Sequence, residues 1–260
     1  NHIGVPITIL QISKNHKVAI IEMGANHLKE IEKLCSIAQP NWGYITNFGK
    51  AHLEGFGSEE GVIIGKSELY EYLGKNNGKI LVNKDDLIQV EKTKKYTRYF
   101  FGSESECDIK IDYLESKNGL SVGFKKHKFI SPIHGNYNFL NIAAALSFGI
   151  LFEVDLDKIK KAIASYDSKN NRSEKIIINK TPFILDAYNA NPTSMAVALD
   201  SFCDKYSTNN LVILGDMLEL GKQTYIEHEN ILKKCLKLGI TKIFTIGSNF
   251  ISTKVNNEKI

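Results

Sequence analysis

The sequence predicts an α/β fold, with a mostly parallel sheet, an antiparallel insert and then a second α/β unit. Three observations predict it. Apolar runs of strand length alternate with segments whose apolar residues recur at helical spacing, and the texture changes to closely spaced short strands between Tyr96 and Ile133. The alternation then restarts after the polar, turn-rich stretch Asp167–Arg172. The 260 residues suit one large domain or two ordinary ones, and the pattern along the chain divides them at 1–168 and 169–260.

Each element has its own signal. Val18-Ala19-Ile20-Ile21 is a short continuous apolar run, the pattern of a strand buried on both faces. From His27 to Ala38, Leu28, Ile31, Leu34 and Cys35 share one helical face. Gly43–Thr46 reads as the next strand, and a glycine-punctuated loop runs from Asn47 to Gly57. Ser58-Glu59-Glu60 then opens a helix reaching about Leu73, the serine as cap and the acids opposing the helix dipole. Lys79–Asn83 is a further strand. In the insert, Tyr99–Phe101, Ile109–Leu114, Leu120–Phe124 and Lys128–Ile130 read as strands, with Asn118-Gly119 as a hairpin turn. Two helices follow, Tyr137–Phe152 and an aspartate-capped one from Asp155 to Ser165. Beyond the polar stretch come strands at Lys175–Ile178 and Phe183–Leu185, a helix from Ser194, and a strand at Leu211–Leu214. A helix at Tyr225–Leu238 and a strand at Lys242–Ile246 complete the series.

Composition narrows the function. Lys plus Arg number 33 and Asp plus Glu 29, for a net charge of +4 spread along the chain, so no basic arm for nucleic acid is expected. With 43% apolar and 24% charged residues the chain has the makings of a packed core. Cys35, Cys107, Cys203 and Cys235 are scattered without CxxC or histidine spacing, which reads as buried thiols in a reducing compartment and not a disulfide framework or zinc site. No apolar run reaches the roughly 18–20 residues of a membrane span, so no membrane insertion is expected. Arg98 and Arg172 are the only arginines.

Gly65-Lys66-Ser67 invites a phosphate-loop reading. That loop needs G-x-x-x-x-G-K-[ST] at a strand-to-helix turn, yet Glu60 holds the required glycine position, Gly61 comes one residue too near, and the segment lies inside a helical pattern. Glu22 ends a predicted buried strand and is followed by Met23-Gly24-Ala25-Asn26. At the carboxyl end of a parallel strand such a carboxylate can hold magnesium, or simply be solvated. Asn47 stands at the equivalent end of the next strand, in a loop carrying Lys50, His52 and Glu54. A lone histidine is more often structural or exposed than a ligand, so His52 alone carries little; with Glu22 on a neighbouring strand end it gains weight. Asp186 follows the strand Phe183–Leu185 and leads into Tyr188-Asn189-Ala190-Asn191-Pro192, with Arg172 just before the preceding strand. A carboxylate and an arginine near a domain junction suit nucleotide contact, or a turn and a linker.

Taken together these segments resemble the Mur ligases. The strings that carry the likeness are Asn1-His2-Ile3-Gly4-Val5-Pro6, Ile21-Glu22-Met23-Gly24-Ala25-Asn26-His27, Ile45-Thr46-Asn47, Ala51-His52-Leu53-Glu54-Gly55-Phe56-Gly57 and Gly65-Lys66-Ser67-Glu68-Leu69. They continue with Asn138 through Asn141-Ile142-Ala143-Ala144-Ala145, Asp186-Ala187-Tyr188-Asn189-Ala190-Asn191-Pro192 and Leu214-Gly215-Asp216-Met217-Leu218-Glu219-Leu220-Gly221. The resemblance implies a central ATP-binding domain followed by a Rossmann-like C-terminal domain, in a cytoplasmic enzyme of peptidoglycan precursor synthesis. It implies an ATP- and Mg2+-dependent amide ligase joining D-Ala-D-Ala to UDP-N-acetylmuramoyl-tripeptide through an acyl phosphate. By resemblance Glu22 and His52 lie at Mg2+, and Lys66 is a lysine carbamylated into a metal ligand. Asn138 and Asn141 contact adenine, Arg172 and Asp186 close on ATP, and Asn47, Tyr188, Asn189 and Asn191 belong to substrate or loop positions. The family also carries a glycine-rich phosphate loop and a UDP-binding domain ahead of the Asn-His-Ile-Gly-Val-Pro string. The expectation is therefore a fragment lacking both, incomplete at its C-terminal side as well, and inactive by itself. A folylpolyglutamate-synthase-like ligase and a non-catalytic binding module are the alternatives.

Overall fold

The structure, a computed structural model, describes residues 1–50, 52–114, 119–133, 135, 138–166, 171–206, 208–253 and 255. Two compact units divide it, Asn1–Ile109 and Lys110–Ile260.

In the first unit, helices α1 (Gly4–Leu10) and α2 (Glu30–Ala38) precede strand β1 (Trp42–Gly43), the short helix α3 (Leu53–Phe56) and the long helix α4 (Glu59–Lys75). Strand β2 (Lys79–Asn83), helix α5 (Leu87–Lys92) and strand β3 (Arg98–Gly102) follow, and β4 (Ile109–Lys110) begins where the unit ends. The sheet order is β1-β2-β3-β4. β1 pairs with β2 and β2 with β3 in parallel, Trp42 opposite Lys79 and Leu81 opposite Tyr99. Parallel strands are buried on both faces, and Ile80, Leu81 and Val82 are fully buried. Tyr70 and Leu73 of α4 pack on Ile45, Ile80 and Val82, while α1 and α2 close a second cluster around Val5, Ile31, Leu34 and Cys35.

Local chemistry sets the boundaries. Ser58 accepts a hydrogen bond from the Gly61 N–H at 3.0 Å, so α4 starts where the serine signal put it. Asp86 caps α5 through the N–H groups of Ile88 and Gln89. The buried Gln89 side chain then ties the segment after β1 to the end of β2: its Nε2 donates to the Ile45 carbonyl at 3.0 Å and its Oε1 accepts from the Asn83 N–H at 3.2 Å. Arg98 is spent locally, donating to the Val90 carbonyl at 2.8 Å with its guanidinium over the Phe100 ring.

Four expected strands are corrected here. Tyr99–Phe101 belongs, as β3, to the parallel sheet and not to the antiparallel insert, and the expected Ile109–Leu114 strand is split into β4 and, in a different sheet, Asp112–Leu114. Val18–Ile21 forms no ladder among the described residues, and Ile20 is 89% exposed. An apolar run has strand propensity, but a strand exists only where a neighbour takes its backbone hydrogen bonds. The expected Gly43–Thr46 strand shrinks to Trp42–Gly43, because β2 pairs only with those two residues. Helices α1 and α5, and α3 within the Asn47–Gly57 loop, were not expected.

The second unit opens with an antiparallel sheet in the order β5-β6-β7, made of β5 (Asp112–Leu114), β6 (Leu120–Phe124) and β7 (His127–Ser131). The central strand β6 is buried along its length. Asn118 of the expected turn, Tyr137 at the start of the expected helix and 167–170 of the expected linker lie outside the described residues. Helices α6 (Phe139–Leu151) and α7 (Leu156–Ser165) come next, Asp155 capping α7 through the N–H groups of Asp157 and Lys158. β8 (Glu174–Ile178) and β9 (Thr181–Leu185) form a hairpin with Ile178 opposite Thr181. Asn179 and Lys180 both have positive φ, 49° and 68°, the left-handed pair that a two-residue hairpin needs to match strand twist. Helix α8 (Pro192–Lys205), strand β10 (Leu211–Gly215), helix α9 (Thr224–Lys237), strand β11 (Lys242–Ile246) and helix α10 (Ser248–Ile251) complete the unit. β10 and β11 run parallel across the α9 crossover, the β–α–β connection expected there.

Candidate functional site

In the first unit the segments that carry the candidate groups are brought together where glycines admit close contact. Gly61 and Gly65, one turn apart on α4, make a seat for Phe56. A Cβ at Gly61 would lie 2.1 Å from the Phe56 carbonyl oxygen, and one at Gly65 would lie 2.4 Å from its ring. The phosphate-loop reading therefore fails for a stated reason: Gly65-Lys66-Ser67 is mid-helix, and its glycine is there to admit an aromatic ring. Seating Phe56 brings α3 and His52 onto α4. His52 stands at φ 56°, its carbonyl accepting from the Gly55 and Phe56 N–H groups. Gly55 in turn touches the Glu22 segment, since a Cβ there would fall 2.1 Å from the Asn26 carbonyl oxygen.

Lys66 projects from the same helix, half-buried, and its Nζ donates to the Asn47 carbonyl at 2.8 Å. Burial lowers the ammonium's pKa from its ordinary range. The Asn47 side chain turns back on its own loop, accepting from the Gly49 N–H at 3.0 Å. Lys50 pairs with Glu59 at 3.1 Å. Glu22 is exposed, four residues before Asn26. Among the described residues no three His, Cys, Asp or Glu side chains converge into a ready metal shell. A magnesium ion does not need such a shell, because it binds through one or two carboxylates and keeps waters and substrate phosphates as its other ligands. Glu22 fits that mode.

In the second unit, Asn138 stands at the N-terminus of α6 and its Oδ1 accepts from the Asn141 side chain at 3.0 Å, so the predicted pair is one linked unit. Arg172 and the 186–188 segment also meet. The guanidinium lies 4.0 Å from the Tyr188 ring centroid, Asp186 accepts from the Ser173 N–H at 3.2 Å, and the Ala187 N–H donates to the Asn171 carbonyl at 2.8 Å. Asn189 is exposed. Asn191 plays a structural part. With Ser194 it forms the reciprocal cap of α8, accepting from the Ser194 N–H at 2.9 Å, with Pro192 at the first helical position.

Sequence reasoning passed over Glu68. One of its oxygens accepts from the Lys29 N–H at 2.6 Å and the other from the Glu32 N–H at 3.0 Å, capping α2 from α4. No sequence signal marks a cap supplied from 36 residues away. The Gly61–Gly65 spacing was visible, but only as a failed phosphate loop.

Residues 1–149 match the family profile described as Mur ligase middle domain, and 171–260 match that described as Mur ligase, glutamate ligase domain. The chain belongs to the Mur ligase family. Among Mur ligases it is similar to the UDP-N-acetylmuramoyl-tripeptide–D-alanyl-D-alanine ligase of Buchnera aphidicola subsp. Baizongia pistaciae, 35% identical over 95% of this chain and 55% of that protein. The enzyme of the same name from Bacillus subtilis is 31% identical over 95% of this chain and 55% of its own length. A crystal structure of MurF from Acinetobacter baumannii superposes with a TM-score of 0.82 at 28% identity, covering 94% of this chain and 55% of that one. The Thermotoga maritima MurF ligase, solved with ADP, superposes at 0.83 with 23% identity over 96% of this chain and 60% of that one, a likeness of fold. The chain spans about half the length of the curated relatives it matches. Among the described residues no helix is long and apolar enough to cross a membrane.

Proposed function

We propose that the protein acts in an ATP-dependent amide ligase that joins D-Ala-D-Ala to UDP-N-acetylmuramoyl-tripeptide in the cytoplasm during peptidoglycan precursor synthesis. The observation that carries the reading is the convergence, on one helix and its two neighbouring loops, of the Lys66 amine, the His52 loop and the Glu22 segment. Relatives bearing that activity in their names match the chain along almost its whole length. The two profile matches also support domains at 1–168 and 169–260.

ATP phosphorylates the tripeptide carboxylate, and the amine of D-Ala-D-Ala attacks the resulting acyl phosphate, releasing phosphate. Both steps gather negative charge on oxygens, which fixed positive or polar groups stabilise. Glu22 and His52 would hold Mg2+, which when bound supplies neutralising charge at the phosphate oxygens. The lowered pKa of Lys66 raises the fraction of free amine, the form that adds CO2, and so favours its carbamylation. Asn138 and Asn141 offer amide donors and acceptors for adenine, while Arg172 and Asp186 close on the nucleotide. Asn47 in the first unit, and Tyr188 and Asn189 in the second, are assigned to substrate or loop positions.

The test is ADP release by the protein expressed from its full reading frame, with the UDP-tripeptide, ATP, Mg2+ and one acceptor at a time. Release that depends on D-Ala-D-Ala supports the reading. Release with glutamate instead would move the chain to the folylpolyglutamate-synthase-like branch, and binding of nucleotide without release with any acceptor would leave a binding module.

A further inference from the structure

We propose that Glu68 is a positioning residue for the metal site, fixing the Glu22 segment to the helix that carries Lys66; the proposal rests on the functional reading above. Glu68 lies two residues after Lys66 on α4, and its two carboxylate oxygens accept from the Lys29 N–H at 2.6 Å and the Glu32 N–H at 3.0 Å. α2 has no cap of its own: Lys29 takes the N-cap position at φ 72° and supplies no side-chain bond. The first N–H groups of a helix need acceptors, and here a carboxylate from another helix provides two of them.

The chain of contacts continues toward Glu22. Glu30, in the first turn of α2, accepts from the Asn26 N–H at 2.7 Å and the His27 N–H at 3.3 Å. The other side of that residue is pinned as well, because the Asn26 carbonyl packs against Gly55 of the His52 loop. Asn26 is thus held through its N–H by α2, which Glu68 anchors, and through its carbonyl by the loop that Phe56 seats on α4. All three groups assigned to the metal side, Glu22, His52 and Lys66, are referred to one helix. Without Glu68, α2 keeps its apolar contacts through Ile31, Leu34 and Cys35 but loses the two acceptors that tie its N-terminal turn to α4.

The experiment compares E68A, E68Q, E22Q and E71Q in the protein expressed from its full reading frame. Glu71, one turn along α4, pairs with Lys95 at 3.2 Å and serves as a control for changing an acid on this helix. Mn2+ binding is read by electron paramagnetic resonance without turnover, alongside the Mg2+ concentration for half-maximal rate and the KM for D-Ala-D-Ala. Loss of a group that orients a metal ligand weakens metal binding about 10- to 100-fold. E68A is expected at the low end of that range with the D-Ala-D-Ala KM unchanged, E68Q between it and wild type because it keeps one acceptor oxygen, and E71Q at wild type. If E22Q weakens Mn2+ binding while folded E68A or E68Q binds it as wild type does, Glu68 is merely structural and the proposal is overturned. If E22Q itself leaves Mn2+ binding unchanged, the metal reading fails and takes the proposal with it. Should E68A not fold, E68Q decides alone.

Discussion

Lys66 and Arg172 are the two cationic groups the sequence singled out, and the molecule treats them in opposite ways. Lys66 is half-buried, its amine on a backbone carbonyl and its helix locked by glycine contacts to the His52 loop. Arg172 is exposed, stacked on an exposed tyrosine, in a segment held by a few hydrogen bonds to 186–187. Burial alters what an amine can do chemically, since it disfavours the charged form. A guanidinium can meet the oxygens of a phosphate or carboxylate through two N–H groups at once. The first region is built to tune a group and the second to present one.

Substitutions should separate the two regions by size of effect. K66A is expected to reduce ligation most, by about 100- to 1,000-fold in kcat, the scale for losing one preorganised electrostatic group. Steady-state kinetics checks this, and a loss below tenfold would remove Lys66 from the proposed machinery. G61A should come next, as a stability effect. Its Cβ meets a carbonyl oxygen at 2.1 Å, and forcing such a contact costs about 1–3 kcal/mol, read as a lower Tm and as weakened binding on the His52 side. R172A should remove a stacking contact worth about 0.5–1 kcal/mol at an exposed site, so stability changes little while the KM for ATP rises. If Tm falls as far in R172A as in G61A, the contrast between the regions is wrong. The smallest effect concerns the thiols. Burial pushes Cys35 and Cys235 up to about 12, so at pH 8 both should alkylate more slowly than the half-exposed Cys203, as peptide mass mapping would show.

How far the sequence could be read depended on whether a signal is local. Ser58, Asp155 and the β10–α9–β11 alternation carry their structural consequence within a few residues, and each element appears where its signal lies. Val18–Ile21 had the composition of a strand, but pairing is a property of two segments, and composition reports only one. The site shows the same division. Lys66, His52 and Glu22 were visible through spacing and family likeness. Glu68 and the Phe56 seat were not, because their partners lie 36–39 residues away or present only backbone atoms. Asn191 shows the opposite limit, a residue in a telling string whose side chain is occupied in capping a helix.

Helix α4 carries Gly61, Gly65 and Glu68 at intervals of four and three, a single stripe along one face, with Lys66 beside it. Each residue added to a helix rotates all later side chains by about 100° around its axis. One amino acid inserted between Gly61 and Gly65 would swing Lys66 and Glu68 off their partners while leaving every residue type in place. A residue added to the loop before or after α4 would leave these side chains in the same relation to one another, whereas one added between Gly61 and Glu68 would not. The length of that interval is as much a part of the proposed chemistry as any side chain on it.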